Sequence, residues 1–382
     1  MKKHLVLILI LLMISFTWAQ NPGVTGSGYS FFHTFEGRVL NPGYLDVYVN
    51  SNFFSQKGKY LGNPPEDFQV KNWWLVAGNI AFSYGIIEHL DISAAIRVYQ
   101  RTYQDTSYSN QSNVPDDIFL TLKGGSFKFA RRHFSAAIQS TVRIPSGKTH
   151  NYPFTEYASG ALEYGFMGMI SYYADSYFPN RAFNFHYNFG LWFHNEEGKE
   201  IPITGGEKRT ASVNSSRLGM AVAFIKPIGA FDLRLELAGF LYLQEPDSFI
   251  YSAEDLAYLT PSIRYKPLDW LSLDLGMDFR LSPGDRQRTL GVPDVSNRLN
   301  LPTSYPPWKV QLGLHFKALP KGRKPYDSDI INLRTQRALD EYNRIIKETE
   351  KAKKEEGKVR DLRQERKSVD EEIDGLKKEI EG

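Results

Sequence analysis

An all-β fold, an antiparallel up-and-down transmembrane β-barrel of about twelve strands with a C-terminal α-helical, coiled-coil-like tail, is predicted by three observations. The chain begins with an export-type leader; its apolar residues alternate with polar ones over unusually long stretches; and its connections are short and long in turn. The alternation is clearest in residues 231–243, FDLRLELAGFLYL, where Phe231, Leu233, Leu235, Leu237, Leu241 and Leu243 share one parity and Asp232, Arg234 and Glu236 the other. Successive strand side chains point to opposite faces, so one face here is apolar and the other charged.

Residues 1–19 read as a secretory signal peptide. Lys2, Lys3 and His4 form a basic start, residues 5–16 are an apolar run, and Thr17, Trp18 and Ala19 lead to cleavage after Ala19. An N-terminal anchor is the alternative, but the run is shorter than the roughly 20 residues that a spanning helix needs. Residues 20–43 carry Gly and Pro punctuation and the aromatics Tyr29, Phe31, Phe32 and Phe35. Two placements stay open for this N-terminal segment: inside a lumen as a partial plug, or against the periplasmic rim.

The barrel is expected over residues 44–317. Strong alternation marks 90–99, 183–194, 217–225, 231–243, 270–282 and 308–317; weaker alternation marks 44–55, 72–85, 116–124, 132–144, 160–173 and 256–266. Most of these segments exceed the five or six residues usual in globular strands and match the nine to eleven or so of a tilted membrane-spanning strand. Short turns at 86–88, 127–131, 175–180, 226–229 and 266–269 alternate with longer links at 56–71, 101–115, 145–158, 195–212, 245–255 and 283–305. Lipid offers no hydrogen bonds, so strands in a membrane must close on themselves. A soluble β-sandwich also alternates, but twelve strands of this length would make an unusually large one. Trp73, Trp74, Tyr84, Trp192, Tyr242, Tyr265, Trp270 and Trp308 fall near expected strand ends, the place of an interfacial aromatic girdle.

Inward positions then carry Asp46, Asp91, Arg97, Lys123, Arg143, Glu163, Arg217, Asp232, Arg234, Glu236, Arg264, Asp274, Asp278, Arg280, Lys309, His315 and Lys317. Charges of both signs can line a narrow aqueous path or pair across strands and fill the barrel. About eight strands fill with side chains and sixteen to eighteen leave a wide channel, so twelve allow a constricted pore.

Catalysis finds little support. There is no His-x-Ser-Asn-Gly cluster, no G-x-S-x-G elbow and no His-x-x-x-His spacing; with no Cys, thiolate metal sites and disulfides are excluded. His186, His194 and His315 read as lumen lining, and His150 as part of an outward loop. No catalytic, metal or cofactor residue is assigned, and the expectation is a non-enzyme without a cofactor. A formal net charge of +3 does not point to nucleic acid.

Residues 318–327 form a basic, Pro-containing linker. In 328–382, Ile331, Leu333, Leu339, Tyr342 and Ile346 fit one helical seam, and Val359, Leu362, Val369, Ile373, Leu376 and Ile380 another, out of phase across Gly357. One helix with a phase shift, or two helices meeting near Gly357, both satisfy this. The tail reads as a binder of a periplasmic partner, as a self-association element, or as a solvated helix held by i,i+4 ion pairs.

The segments FSYGIIEHLDISAAIRVY, PPWKVQLGLHFK and SGYSFFHTFEGRVLNPGYLDV resemble features of bacterial outer-membrane β-barrel proteins: a strand–short turn–strand hairpin, a closing strand after a Pro-rich loop, and the stretch before the first strand of porin-like members. The resemblance covers residues 20–317 and implies an outer-membrane location, outer-membrane lipid around the barrel and the tail in the periplasm. Many such barrels end on the aromatic of the last strand; Phe316 takes that place, with about 65 residues after it, so an internal insertion signal is expected. The first functional expectation is a porin-like channel for passive passage of small polar solutes. The second is a structural anchor whose tail grips a periplasmic partner or a second copy.

Overall fold

A computed structural model describes residues 29–58, 71–103, 111–113, 115–147, 151, 155–202, 208–250, 252–283, 305–318 and 327–380. The signal-peptide stretch, His150, residues 20–28 and most of the 318–327 linker lie outside these. The chain divides into two compact units, Met1–Lys321 and Gly322–Gly382.

The first unit is a closed barrel. Its strands are β1 (Leu45–Gly58), β2 (Lys71–Ile87), β3 (Leu90–Tyr103), β4 (Asp117–Phe129), β5 (Phe134–Pro145), β6 (Glu163–Tyr173), β7 (Asn184–Phe193), β8 (Ser216–Ile228), β9 (Phe231–Gln244), β10 (Leu256–Leu268), β11 (Leu271–Arg280) and β12 (Trp308–Ala318). Each pairs antiparallel with the next, and β12 returns to β1 with Leu45 opposite Ala318 and Phe53 opposite Val310. That last pairing removes both sheet edges, as a membrane demands. Each alternating segment of the sequence becomes one strand.

The long links carry small extras. Gln111–Asn113 pairs with the end of β3, and Glu200–Pro202 pairs with Lys208–Thr210 in a separate ribbon. In β4 the register shifts between Gly124 and Phe127, and Ser126 sits at a positive φ of 61°. This bulge turns Ser126 inward, where it meets the N-terminal segment.

The second unit is a single helix, α1 (Asp327–Ile380). It runs unbroken through Gly357, so of the two readings the one-helix form holds. At about 1.5 Å per residue it is roughly 80 Å long. It is not apolar enough to cross a membrane. Leu339, Tyr342, Val359, Leu362, Val369 and Ile373 are exposed on it, and Arg337–Glu341, Arg344–Glu348 and Lys367–Glu371 form i,i+4 ion pairs.

Candidate functional site

The outer surface of the barrel is apolar. Ile80, Phe82, Ile92, Leu122, Phe166, Leu235, Leu275 and Leu312 all face outward and are exposed; Ile138 is 70% exposed. A monomer in water rarely shows contiguous apolar patches beyond a few hundred Å². Here the apolar face goes round a cylinder that has no free edge. The fold is that of an outer-membrane β-barrel. At the short-turn rim Phe231 stacks on Tyr265 and Trp270 meets Phe316 edge-on, giving the barrel an aromatic band. Two residues of the expected girdle do not belong to it. Trp192 and Tyr242 point inward, because their parity is that of the polar face: Trp192 Nε1 donates to Glu163 at 2.7 Å, and the Tyr242 hydroxyl to Ser252 O at 3.2 Å. The side chain of Trp73 lies outside the described residues. Replacing Leu275, midway along β11, with Arg is expected to cost about 2–4 kcal/mol of folding stability, as arginine does at the midplane of such barrels. Urea titration in lipid vesicles, with Leu275→Ile as the near-neutral control, reads this.

Inside, the expected charges converge in two layers. Near the short turns the Asp274 carboxylate takes Arg264 Nε and Nη2, both at 2.7 Å, and Arg234 Nη2 at 2.9 Å. His315 lies 2.7 Å from Arg264 and 3.3 Å from Asp46, and stacks on Tyr48 at 4.1 Å. Asp232 pairs with Lys266 at 2.6 Å. Lys123 is fully buried; its ammonium has no hydrogen-bond partner and faces the charges of Asp91 and Glu36.

Near the long loops Arg143 bridges Asp117 and Glu163, and also donates to Tyr157 O at 3.2 Å. Glu163 in addition accepts from Ser159 N at 2.8 Å and lies 3.1 Å from His194. Asp278 collects Lys309 at 3.3 Å, Gln311 at 2.8 Å and Thr260 at 2.8 Å. Arg280 donates to Tyr305 O at 2.6 Å and lies 3.8 Å from Glu254. Arg97 and Arg217 approach one carboxylate, Glu156, at 4.0 and 3.8 Å. These charged side chains are buried or half-buried, most of them in pairs or networks.

The lumen also holds a guest from the same chain. Residues 29–36 form a tight hairpin, with Phe31 N bonded to Thr34 O, Glu36 N to Tyr29 O, and a bridge between Ser30 and Phe35. The strands grip it by its backbone. Phe32 N and His33 N donate to the two Glu236 oxygens at 3.2 and 2.8 Å. Asn188 accepts from Phe35 N at 2.6 Å and donates to Phe35 O at 2.8 Å. Gly37 N donates to Ser171 Oγ, Val39 N to Ser126 Oγ and Leu40 N to Asp91.

Side chains add to the hold. His33 Nε2 lies 2.9 Å from Asp278, the Arg38 guanidinium pairs with Glu36 at 2.6 Å and covers the Tyr29 ring, and Arg264 Nη2 donates to Ser30 O. Burial pulls the His33 imidazole down, but Asp278 and Glu236 outweigh it, and the net shift is upward. Burial likewise raises the Glu36 carboxyl, and Arg38 more than reverses that. The four aromatics of this segment do not form a cluster of their own: Phe31 packs on Ala223 and Ile225, and Phe35 on Ala137 and Met169.

The opposite mouth is covered by long loops. Tyr157, Ile201, Ala211, Ile250 and Ala253 make one buried cluster, and Phe240, Tyr242, Leu256, Tyr258 and Tyr305 another. Sequence reading left Glu156, His33, Glu36 and Arg38 out of the lumen set. Glu156 falls in a long link with no alternation around it, and the other three lie ahead of the first strand, so no periodic signal marks them.

No family model matches the chain, and no curated protein does. Among solved structures, an outer membrane channel from Pseudomonas putida F1 aligns at 9% identity with a TM-score of 0.46, covering 74% of this chain and 98% of that one. The NanC porin aligns at 13% identity and 0.41, covering 72% of this chain and 100% of its own. The translocator domain of the autotransporter NalP from Neisseria meningitidis aligns at 7% and 0.37, covering 72% and 89%.

Proposed function

We propose that this protein is an outer-membrane channel for small polar solutes, closed in the described form by residues 29–43. One observation carries the reading: a chain segment from outside the strands lies in the lumen, bonded to several strands among their own inward side chains. A twelve-stranded cylinder is wider than one that its own side chains would fill. The segment is held by polar bonds that water can replace and by apolar contacts of Phe31 and Phe35, and its withdrawal uncovers a two-signed lining. Passage through a planar bilayer, with and without the segment, is the test. The reading is of a transport protein without a cofactor.

A second reading concerns the tail. The tail is read as periplasmic, on the same side of the membrane as the short turns. Among its described side chains, helix α1 exposes Leu339, Tyr342, Val359, Leu362, Val369 and Ile373. A second copy of this chain is the occupant that two self-complementary seams fit. Light scattering on the full chain in detergent is expected to give a dimer, and removal of residues 322–382 a monomer. An unchanged mass would end this reading.

A further inference from the structure

The loop-side layer contains a cation that the protein leaves without a hydrogen bond. Among the described residues Arg217 is the largest fully buried side chain, and its Nε, Nη1 and Nη2 meet no acceptor. A buried guanidinium costs heavily unless its charge and its N–H groups are answered. One face of the group is covered by Phe240 at 4.4 Å, which leaves the N–H edge for a ligand. Among the described residues the nearest carboxylate oxygen is Glu156 Oε2, at 3.8 Å from Arg217 Nη2 and 4.0 Å from Arg97 Nη2. Both distances are too long for hydrogen bonds and short enough for strong charge attraction.

Glu156 is carried by a loop, whereas the two arginines stand on β3 and β8. Burial raises the Glu156 carboxyl, but Arg97, Arg217 and Lys309 outweigh it and hold the group ionised, below its ordinary range. Arg143 is also close, but its charge is already met by Asp117 and Glu163. Two guanidinium edges facing one loosely held carboxylate is the arrangement that recognises a planar or tetrahedral oxyanion through paired N–H donors.

We propose that Arg217 and Arg97 form a binding site for a small oxyanion, a carboxylate or a phosphate, and that the Glu156 carboxylate is its tethered stand-in. The site gives the channel reading a solute class, and its role in passage rests on that reading. An arriving oxyanion bonds the two guanidinium edges, and the loop carrying Glu156 yields. Glu156 therefore acts as a built-in competitor, and its removal strengthens binding.

The test is calorimetric titration of the full chain in detergent at fixed ionic strength, with inorganic phosphate in one arm and acetate in the other. Glu156→Gln is expected to bind at least one of them about tenfold more tightly than the wild type, as removal of a tethered competitor at roughly millimolar effective concentration implies. Whichever arm responds names the source. Adding Arg217→Gln to Glu156→Gln is expected to abolish the gain. Where that double variant does not fold, by the heat-shifted gel mobility of a closed barrel, Arg97→Gln in the same background takes its place and is expected to lose most of the gain. No gain in either arm for Glu156→Gln, or a gain that survives the folded arginine variant, overturns the site. Bilayer conductance separates this from the channel reading. Measured on the chain lacking residues 29–40, conduction without oxyanion binding refutes the site alone, and binding without conduction supports the site while refuting the channel.

Discussion

Deletion of residues 29–40 is expected to convert a nearly silent barrel into a steadily conducting one, with single-channel conductance about tenfold or more above the full chain, since a lumen's constriction sets its conduction. The deleted stretch carries the hairpin and the backbone groups bonded to Glu236, Asn188, Ser171, Ser126 and Asp91. These partners are polar and become solvated, so the barrel itself should still close. A gentler variant isolates the cause. A Cβ on Gly276 would lie 2.6 Å from the Phe32 ring and 2.8 Å from Ser262 Cβ, so Gly276→Ala pushes the hairpin without touching its polar anchors. Brief, frequent openings are expected from it.

The latch also has a pH sense. The His33 imidazole is raised above its ordinary value beside Asp278, so its contribution is full below the ordinary value and fades as pH rises through the raised one. Leak should therefore grow with pH in the full chain and show no such dependence in the deletion. Silence in both variants at every pH would mean that the loop cluster at the far mouth, or the strands themselves, closes the barrel, and the channel reading would fall.

Asp274→Ala is expected to be the most damaging single change within the lumen. Asp274 alone joins Arg264, through two bonds of 2.7 Å, to Arg234 at 2.9 Å, and all three side chains are nearly or fully buried. Truncation leaves two buried guanidinium groups without their shared counter-charge, at a cost of about 3–5 kcal/mol. Asp274→Asn keeps hydrogen-bond acceptors while removing the charge, and should fall between. Urea unfolding of vesicle-inserted protein ranks the three. If the alanine variant unfolds with the wild type, the network carries no net stability and water enters that layer freely.

Much of this molecule is legible in one dimension because a barrel strand couples sequence parity to environment. Phe231, Leu233 and Leu235 lie outside and Arg234 and Glu236 inside for no reason beyond the pleat. The same rule misled where a residue's chemistry and its parity disagreed: Trp192 and Tyr242 suit a membrane interface, yet stand on the inward side and bond to Glu163 and Ser252. Parity says nothing of residues outside strands. His33, Glu36 and Glu156 reach the lumen through loop paths that only three-dimensional packing fixes, and the Ser126 bulge that receives Val39 leaves no mark in the alternation. The oxyanion site is half visible for this reason: its two arginines follow from the pattern, and its carboxylate does not.

The N-terminal segment bonds to β3, β4, β5, β6, β7, β9, β10 and β11, eight of the twelve strands. It therefore also bears on how the cylinder is made. Joining Leu45 to Ala318 is a contact between distant parts of the chain, and its entropic cost must be met before the seam rewards it. A mandrel that is synthesised first and touches each successive hairpin would set curvature and gather the staves before the last one arrives. Assembly and closure would then be two uses of a single short peptide.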